Sequence, residues 1–293
     1  MLPVSVVIPC YHCADSLDMA IASVLGQTQL PAEIIVVNDG SSDVTLAYLF
    51  HDAHQENELP AYLYINHAIN RGPAAARNTG WDAATQPYIA FLDADDVWHP
   101  RKLEIQFAWM QAHTDVALCG HDCVFSYGDQ NQESRIKSEE PRIKNQEYRI
   151  KNTERMWGEI GAKVLYRREV LRSNPFVMPS MMLKRDLPCR FDPSVRYCED
   201  YLLLMQLCLQ GQIIAKLDLP LVTVSWRDKG APSLSKNLWR MRLAEMGNYW
   251  RLRQMGLLNV VEVVGLTLFS ALKFVVRLLV GHRGVWWLRQ RAK

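Results

Sequence analysis

The chain has 293 residues, of which 49% are apolar and 22% are charged, and its formal net charge is +2. This composition excludes a wholly disordered chain, a collagen-like repeat and a membrane protein of many spans. The length suits one large domain, or one domain with an appendage. The small net charge hides an uneven distribution. Residues 1–235 carry 22 basic and 29 acidic residues, a net charge of −7, whereas residues 236–293 carry 11 basic and 2 acidic residues, a net charge of +9.

Short apolar runs alternate with helical patterns over the first hundred residues. Strands are predicted at 4–8, 34–37, 62–65 and 88–92, and helices at 15–27, 43–55 and 73–84. This alternation is typical of βαβ units and predicts an α/β fold with a doubly wound, mainly parallel sheet. Ligands of such sheets bind beyond the carboxyl ends of the strands. Pro9–Tyr11, Asp39 and Asp93–Asp95 all lie at such ends.

The second half combines ordered patterns with one unusual insertion. Residues 129–155 repeat Arg-Ile-Lys with a seven-residue period among polar residues, which predicts a low-complexity insertion. Interleaved acidic residues disfavour a nucleic-acid patch there, so no nucleic acid is expected. Beyond the insertion, strands are predicted at 179–183, 213–217 and 221–224, and a helix at 201–210.

Seven cysteines occur, an odd number without the spacing of a disulfide framework. A secreted domain held together by disulfides is therefore not expected, and the reducing cytosol is favoured as the compartment of the protein. Cys10 and Cys13 are expected to be buried free thiols, with half of a zinc site as the disfavoured alternative. The N-terminus lacks a basic segment before its apolar run and predicts a strand rather than a signal peptide.

A 26-residue apolar stretch, 256–281, lies in the basic tail and is long enough to span a membrane. Its polar residues fall within an arc of about 80° on a helix; they are Asn259, Glu262, Ser270, Lys273 and Arg277. Charges on one stripe disfavour spanning and favour a helix in the membrane interface. Trp286 and Trp287 among basic residues support the same interpretation. The alternative is a core helix docked on the preceding domain.

Six segments resemble, in order and spacing, those of the family 2 glycosyltransferases, which are inverting enzymes with the GT-A fold. They are Val6–Tyr11, Ser23–Thr28, Val36–Asp43, Asn70–Asn78, Ala90–Asp96 and Glu199–Asp200. The resemblance covers about residues 3–225 and implies a GT-A domain at 1–225, interrupted by the insertion. The remaining 226–293 would be a basic, amphipathic region that associates with the membrane.

The resemblance also implies a donor site for a nucleotide sugar, with UDP as the favoured nucleotide. Asp39 would accept a hydrogen bond from the base, Tyr11 would lie against it, and Arg77 would lie near the nucleotide. Asp93 would meet the ribose, and Asp95 would bind Mn²⁺ or Mg²⁺ to neutralise the diphosphate. The full predicted donor set is Pro9, Tyr11, Asp39, Arg77, Asp93, Ala94 and Asp95. Structural alternatives remain open: a helix cap for Asp39, an ion pair for Arg77 and a solvated turn for the Asp cluster.

An inverting transfer needs one base for the hydroxyl of the acceptor. The resemblance assigns this role to Asp200, with Glu199 as the second candidate. A carboxylate at a helix start is stabilised as an anion, which suits a base but also a simple cap.

Two departures from the family refine the expected function. The chain lacks the Gln-x-x-Arg-Trp motif of processive synthases, which favours transfer of a single sugar. The stretch 226–233 lacks the His that many relatives use as a metal ligand, so Asp228, water or a basic side chain would substitute.

The expected protein is thus a metal-dependent, inverting glycosyltransferase on the cytoplasmic face of the membrane. Its acceptor would be a lipid-linked saccharide or a lipopolysaccharide- or O-antigen-type saccharide, and an anionic membrane surface would bind its tail. Two alternatives remain: a degenerate saccharide-binding protein at the membrane, and a nucleotidyltransferase on a similar sheet. The second is disfavoured because Pro9–Cys13 contains neither Gly nor Lys.

Overall fold

The computed structural model describes residues 1–41, 60–127, 161–226 and 238–291, with backbone alone for 277–291. The helix predicted at 43–55, the repeat insertion at 129–155 and Asp228 lie outside the described residues. So do the side chains of Arg277, Trp286 and Trp287.

Nine strands form one sheet in the described part of the chain. They are β1 (Leu2–Cys10), β2 (Pro31–Asn38), β3 (Ala61–Asn66), β4 (Tyr88–Phe91), β5 (Val97–Trp98), β6 (Val116–Tyr127), β7 (Ala162–Leu165), β8 (Met182–Lys184) and β9 (Ile213–Trp226). The order is β3-β2-β1-β4-β8-β6-β9-β5, and β7 pairs with β9. The β1, β2, β3 and β4 pairings are parallel, whereas β8 runs antiparallel to both β4 and β6. The predicted α/β architecture with a mainly parallel sheet is confirmed.

Seven α-helices accompany the sheet within the described ranges. They are α1 (Ala14–Leu25), α2 (Pro73–Ala83), α3 (Lys102–Ala112), α4 (Arg167–Val170), α5 (Glu199–Leu209), α6 (Leu238–Gln254) and α7 (Val260–Arg291).

Two apolar cores lie on opposite faces of the sheet, because successive strand side chains point to opposite sides. On β1, Val7 belongs to the core under α2 and α5, whereas Val6 and Ile8 belong to the core under α1 and α3. Side chains of α6 and α7, including Tyr249 and Val263, are fully buried in the first core. The described side chains of α6 and α7 are therefore packed against the same core as the sheet.

Two predicted strands in the second half were wrong in detail. Residues 178–180 form a 3-10 turn, so the strand predicted at 179–183 is confined to β8. Pro179 suits the start of such a turn and cannot donate to a sheet ladder. The strands predicted at 213–217 and 221–224 are one strand, β9, which keeps Pro220 where its register against β6 is irregular.

The expectation of free thiols at Cys10 and Cys13 was also wrong. The two sulfurs form a disulfide, with 6.0 Å between the Cα atoms. Cys10 ends β1 and Cys13 directly precedes α1, so the turn between strand and helix brings both side chains together. The remaining cysteines in the described residues are free thiols.

Three described residues of the polar stripe in the tail bind other elements of the protein. Glu262 binds Arg167, Ser270 donates to Glu245 of α6, and Lys273 lies 3.3 Å from the same Glu245. The docked helix considered as an alternative is thus present. The opposite face of α7 is apolar and exposed, with Val261, Leu268 and Leu272 all more than 60% accessible. Within the described residues, no helix is apolar enough over sufficient length to cross a bilayer.

Candidate functional site

The carboxyl ends of β1, β2 and β4 lie side by side, because these strands are parallel neighbours. Backbone hydrogen bonds hold the residues that follow β2 and β4 against β1. Asp39 N–H donates to Cys10 O at 2.8 Å, and Leu92 N–H donates to Val7 O at 3.0 Å. Gly40 follows β2 with φ +73°, and a Cβ there would lie 2.4 Å from the carbonyl carbon of Ile69. Only glycine suits this close approach of two loops.

Asp39 ties the loop after β2 to the loop before α2. Its Oδ1 accepts the N–H of Arg71 at 2.9 Å, its Oδ2 accepts the N–H of Gly72 at 2.7 Å, and His67 Nδ1 lies 2.7 Å from Oδ1. The carboxyl is only 3% exposed. The role predicted for Asp39 at the base of a nucleotide stays a prediction, and these contacts hold its loop in place.

Tyr11 stands exposed at the end of β1, with 49% of its surface accessible. Its ring contacts the ring of His12, whose φ of 48° turns the chain sharply. Pro9 lies opposite Val37 on β2. Tyr11 is therefore an accessible aromatic surface at the predicted donor side, on a turn closed by the disulfide.

Arg77 joins two of the predicted site acids. From α2 its Nη2 donates to Asp93 Oδ1 at 2.8 Å, and its Nη1 donates to Glu199 Oε1 at 2.7 Å. The guanidinium is buried, and its Nε has no hydrogen-bond partner among the described residues. Burial alone would lower the pKa of Arg77, but the carboxylates of Asp93 and Glu199 raise it above its ordinary value. The predicted ion pair is present, and it brings the acid loop after β4 to the start of α5.

The acid loop after β4 divides its side chains between the interior and the surface. Ala94 and Asp96 are buried, whereas Asp95 is exposed. Asp96 Oδ1 accepts the N–H of Ser225 at 2.9 Å and so fixes the loop to β9. Burial, with repulsion from Asp93 and Asp95, raises the pKa of Asp96 to about 8. Asp95 is thus presented outward from an anchored loop.

Glu199 and Asp200 open α5 and differ in their surroundings. Glu199 is 8% exposed and bound to Arg77, whereas Asp200 is less buried and its Oδ2 accepts Asn174 Nδ2 at 2.9 Å. Burial raises the pKa of Asp200 above its ordinary value, against the opposing effects of Arg77 and Asn174. Of the two acids, Asp200 is the one with the more accessible surface.

The donor set around Asp95 fits Mg²⁺ or Mn²⁺ that shares its coordination with a phosphate. Such ions bind through one or two carboxylates, keep several waters and take substrate oxygens as further ligands. Asp95 supplies an exposed carboxylate, and Asp93 lies two residues before it. No cluster of three or more His, Cys, Asp or Glu side chains suited to a metal occurs within the described ranges.

The sequence patterns did not identify the residues that hydrogen-bond to the predicted site acids from remote segments of the chain. Asn174 binds Asp200, His67 binds Asp39, and Ser225 binds Asp96. Each belongs to a segment remote along the chain from its partner, and single polar residues there carry no pattern. Of these residues, only His67 had a position that could have marked it, because it directly follows β3 at the carboxyl ends of the parallel strands, where ligands bind.

The family model "Glycosyl transferase family 2" matches residues 5–174. The chain belongs to this family. The match covers more than half of the chain, including Arg77 and the acid loop, and it favours glycosyl transfer over nucleotidyl transfer.

Two curated relatives from Escherichia coli illustrate the likeness. The uncharacterized glycosyltransferase YibD of strain K12 is 31% identical over 175 residues, 58% of this chain and 50% of YibD. The UDP-Glc:alpha-D-GlcNAc-diphosphoundecaprenol beta-1,3-glucosyltransferase WfgD is 36% identical over 107 residues, 36% of this chain and 40% of WfgD. This chain therefore spans half or less of the length of these relatives.

The crystal structure of S. aureus TarS 1-349 in complex with UDP has the same fold. It matches with a TM-score of 0.61 over 96% of this chain and 73% of that chain, at 17% identity. The predicted GT-A fold is confirmed by this match, and at such identity the likeness concerns the fold alone.

Proposed function

We propose that the chain transfers a single sugar from a UDP-sugar to a lipid-linked saccharide or a lipopolysaccharide- or O-antigen-type acceptor, with inversion at the anomeric carbon. The observation that carries the proposal is the double ion pair of Arg77. It holds the acid loop, which would meet the donor, beside the start of α5, which would meet the acceptor. An inverting transfer needs both components around one sugar.

The donor would lie across the carboxyl ends of β1, β2 and β4. Exposed Tyr11 offers a ring for the base, and Asp39 holds the loop after β2 in place at the neighbouring strand end. Mn²⁺ or Mg²⁺ held by Asp95, with Asp93 close by, would supply charge neutralisation for the diphosphate leaving group. The chain itself contributes an acid loop that Asp96 anchors to β9.

Asp200 would accept the proton of the acceptor hydroxyl. The ion pair with Arg77 neutralises Glu199, so Glu199 would position the start of α5 and would not transfer the proton. The N-terminus of α5 favours the Asp200 anion, whereas burial raises its pKa towards the working pH of a general base. Asn174 donates to Oδ2 of this carboxylate and so fixes its position at the start of α5.

The location we propose is the cytoplasmic face of the membrane. The exposed face of α7 carries Val261, Val264, Leu268 and Leu272, with spacings of three and four residues that form one stripe. The region from 236 to 293 carries a net charge of +9 and would be attracted to anionic lipid. The polar side of α7 contacts the rest of the protein, so its apolar side is left for the bilayer interface.

The acceptor class follows from this location and from the relatives. The name of WfgD describes a UDP-sugar donor and a saccharide on a lipid diphosphate. A protein whose apolar helix lies in the interface would reach such an acceptor without extracting it from the bilayer.

Release of UDP from a panel of UDP-sugars, with Mn²⁺ and an extract of bacterial lipids, tests the proposal. Wild-type protein should release UDP, and Asp95→Asn and Asp200→Asn should reduce the rate by at least about a hundredfold. Asp115→Asn is the matched control, because Asp115 is exposed between α3 and β6. Undiminished release in either site variant would refute the assigned roles. Binding of UDP without turnover would favour the saccharide-binding alternative.

A further inference from the structure

A cavity of about 460 Å³ lies between α4, the segment that follows it, and α7. Three arginines line it, Arg167, Arg168 and Arg172, together with one carboxylate, Glu262. The pocket, as we name this cavity, lies outside the donor and base residues described above.

The charges of the pocket are not fully paired. Glu262 binds Arg167 Nη2 at 2.5 Å and also accepts the N–H of Asn259 at 2.9 Å, so it is held as part of the start of α7. In the described part of the chain, no carboxylate forms an ion pair with Arg168 or Arg172. The lining therefore keeps two positive charges in excess. Guanidinium groups bind phosphate oxygens in pairs, which makes an anionic phosphate the fitting ligand.

The pocket is also apolar on one side. Leu171, Leu266 and Phe269 line it, and the guanidinium of Arg172 lies 5.5 Å from the centre of the Phe269 ring. Phe269 is 37% exposed on α7, next to Leu268 of the exposed apolar stripe. An anion bound here would lie at the level where that stripe would enter the bilayer. A phosphate that carries a lipid chain satisfies both halves of the pocket.

The pocket is joined to the predicted base by a short piece of chain. Arg172 precedes Asn174 by two residues, so their Cα atoms are at most about 7.6 Å apart, and Asn174 binds Asp200 at 2.9 Å. Tyr201, next to Asp200, donates its hydroxyl to Val170 O of α4 at 2.7 Å. These contacts fix the pocket relative to the start of α5. A phosphate in the pocket and a hydroxyl at Asp200 could belong to one lipid-linked saccharide.

We propose that the pocket binds the phosphate or diphosphate group of the lipid-linked acceptor, and thereby places the saccharide beside Asp200. This inference rests on the proposed function and adds to it a site for the lipid end of the acceptor. Arg168 and Arg172 would bind the phosphate oxygens, and Leu266 and Phe269 would contact the first part of the lipid chain.

Binding of the full-length protein to three kinds of vesicle tests the proposal. The vesicles are phosphatidylcholine alone, phosphatidylcholine with undecaprenyl phosphate, and phosphatidylcholine with phosphatidylglycerol at equal surface charge. Wild-type protein should bind the undecaprenyl phosphate vesicles most tightly. The double variant R168Q/R172Q should lose that preference, with affinity lower by roughly tenfold or more, the loss expected for a charge-assisted hydrogen bond. R196Q/R253Q is the charge-matched control, because Arg196 and Arg253 are exposed and neither lines the pocket.

A second variant blocks the pocket without changing charge. Gly265 lines it from α7, and a Cβ there would meet no atom within 4 Å. G265L would therefore project into the cavity and should also abolish the preference for undecaprenyl phosphate. If G265L fails to fold, as judged by its melting temperature, the exposed arginines still decide the question. Equal binding of wild-type protein to both anionic vesicles, or a preference kept by R168Q/R172Q, would overturn the proposal.

Failure of the pocket and failure of the proposed function give different results. A shift in melting temperature on addition of UDP and Mn²⁺ reports the donor site alone. If R168Q/R172Q keeps that shift but loses the undecaprenyl phosphate preference, both stand. Loss of the shift in wild-type protein, with the lipid preference intact, would contradict the donor assignment and leave the pocket supported.

Discussion

Arg77 gives the sharpest stability prediction, because one buried guanidinium serves two carboxylates from different elements. Replacement by Met keeps the approximate length of the side chain but leaves Asp93 and Glu199 without their partner. Glu199 is 8% exposed, so its negative charge would remain in a poorly solvated place. Removing one member of a buried ion pair costs about 3–5 kcal/mol. We expect R77M to lower the free energy of unfolding by an amount within that range.

Urea denaturation followed by far-ultraviolet circular dichroism measures this change, since urea unfolding gives free energies directly for cooperative transitions. K163Q is the control, because Lys163 pairs with Glu169 while 63% exposed, and surface pairs contribute about 0–1 kcal/mol. A loss below about 1 kcal/mol in R77M would refute the buried bridge as a structural link. R77K should recover only part of the stability, because one ammonium lacks the planar fork that reaches both acids.

Three further predictions concern the base, the disulfide and the tail. Asp200→Asn should abolish sugar transfer while leaving UDP binding unchanged. Only the Asp200 anion can accept a proton, and burial raises the pKa of this residue. In wild-type protein, kcat/KM should therefore fall as the pH falls through a pKa above about 3.9, the ordinary value for Asp. A fall in kcat/KM that begins only at or below pH 3.9 would contradict this. Replacing Cys10 and Cys13 by Ser should lower the free energy of unfolding by about 2 kcal/mol in urea titrations, and a variant as stable as the wild type would show that the cross-link does not constrain the unfolded chain. L268D should weaken binding to anionic vesicles by about tenfold without lowering the melting temperature, because Leu268 is 65% exposed. V263D should unfold the protein, because Val263 is fully buried; equal effects of L268D and V263D on stability would disprove the two-sided character of α7.

The central strands β1 and β2 were predictable because they are buried on both faces. Val6–Ile8 and Ile34–Val37 are continuous apolar runs, and such runs are typical of central parallel strands. The positions of Tyr11, Asp39 and Asp93–Asp95 at the strand ends follow directly from that topology. The fold class, and the convergence of these residues at one edge of the sheet, were therefore predictable from the local sequence pattern.

Contacts between distant segments could not be predicted from the local sequence pattern. Nothing local marks Asn174 as the partner of Asp200, because the pairing depends on how α4 packs on α5. Two separate strands were predicted at 213–217 and 221–224, but they form one strand in which an irregular register opposite β6 accommodates Pro220. Free thiols were expected at Cys10 and Cys13 because the seven cysteines lack the spacing of a disulfide framework, whereas the local turn decides the distance between these two residues.

The helical periodicity of the tail predicted which residues share a side of α7, but it did not predict what that side contacts. The angular position of Glu262, Ser270 and Lys273 predicted one polar stripe, and these residues do share a side of α7. Periodicity cannot tell whether water or protein faces the stripe. The partners, Arg167 and Glu245, lie on other elements and decide that it faces the protein. The exposed side of the helix is consequently the apolar one.

The central claim is that Asp95 and Asp200 together transfer a sugar from UDP to a lipid-linked acceptor. The most direct measurement is the transfer of radiolabelled sugar from UDP-sugars, with Mn²⁺, into the organic-soluble fraction of bacterial membranes. Proton NMR of the product then gives its anomeric configuration. Wild-type protein should give labelled lipid of inverted configuration, and D95N and D200N should label it at least about a hundredfold more slowly. Retained configuration, or labelling by D200N at the wild-type rate, would contradict the central claim.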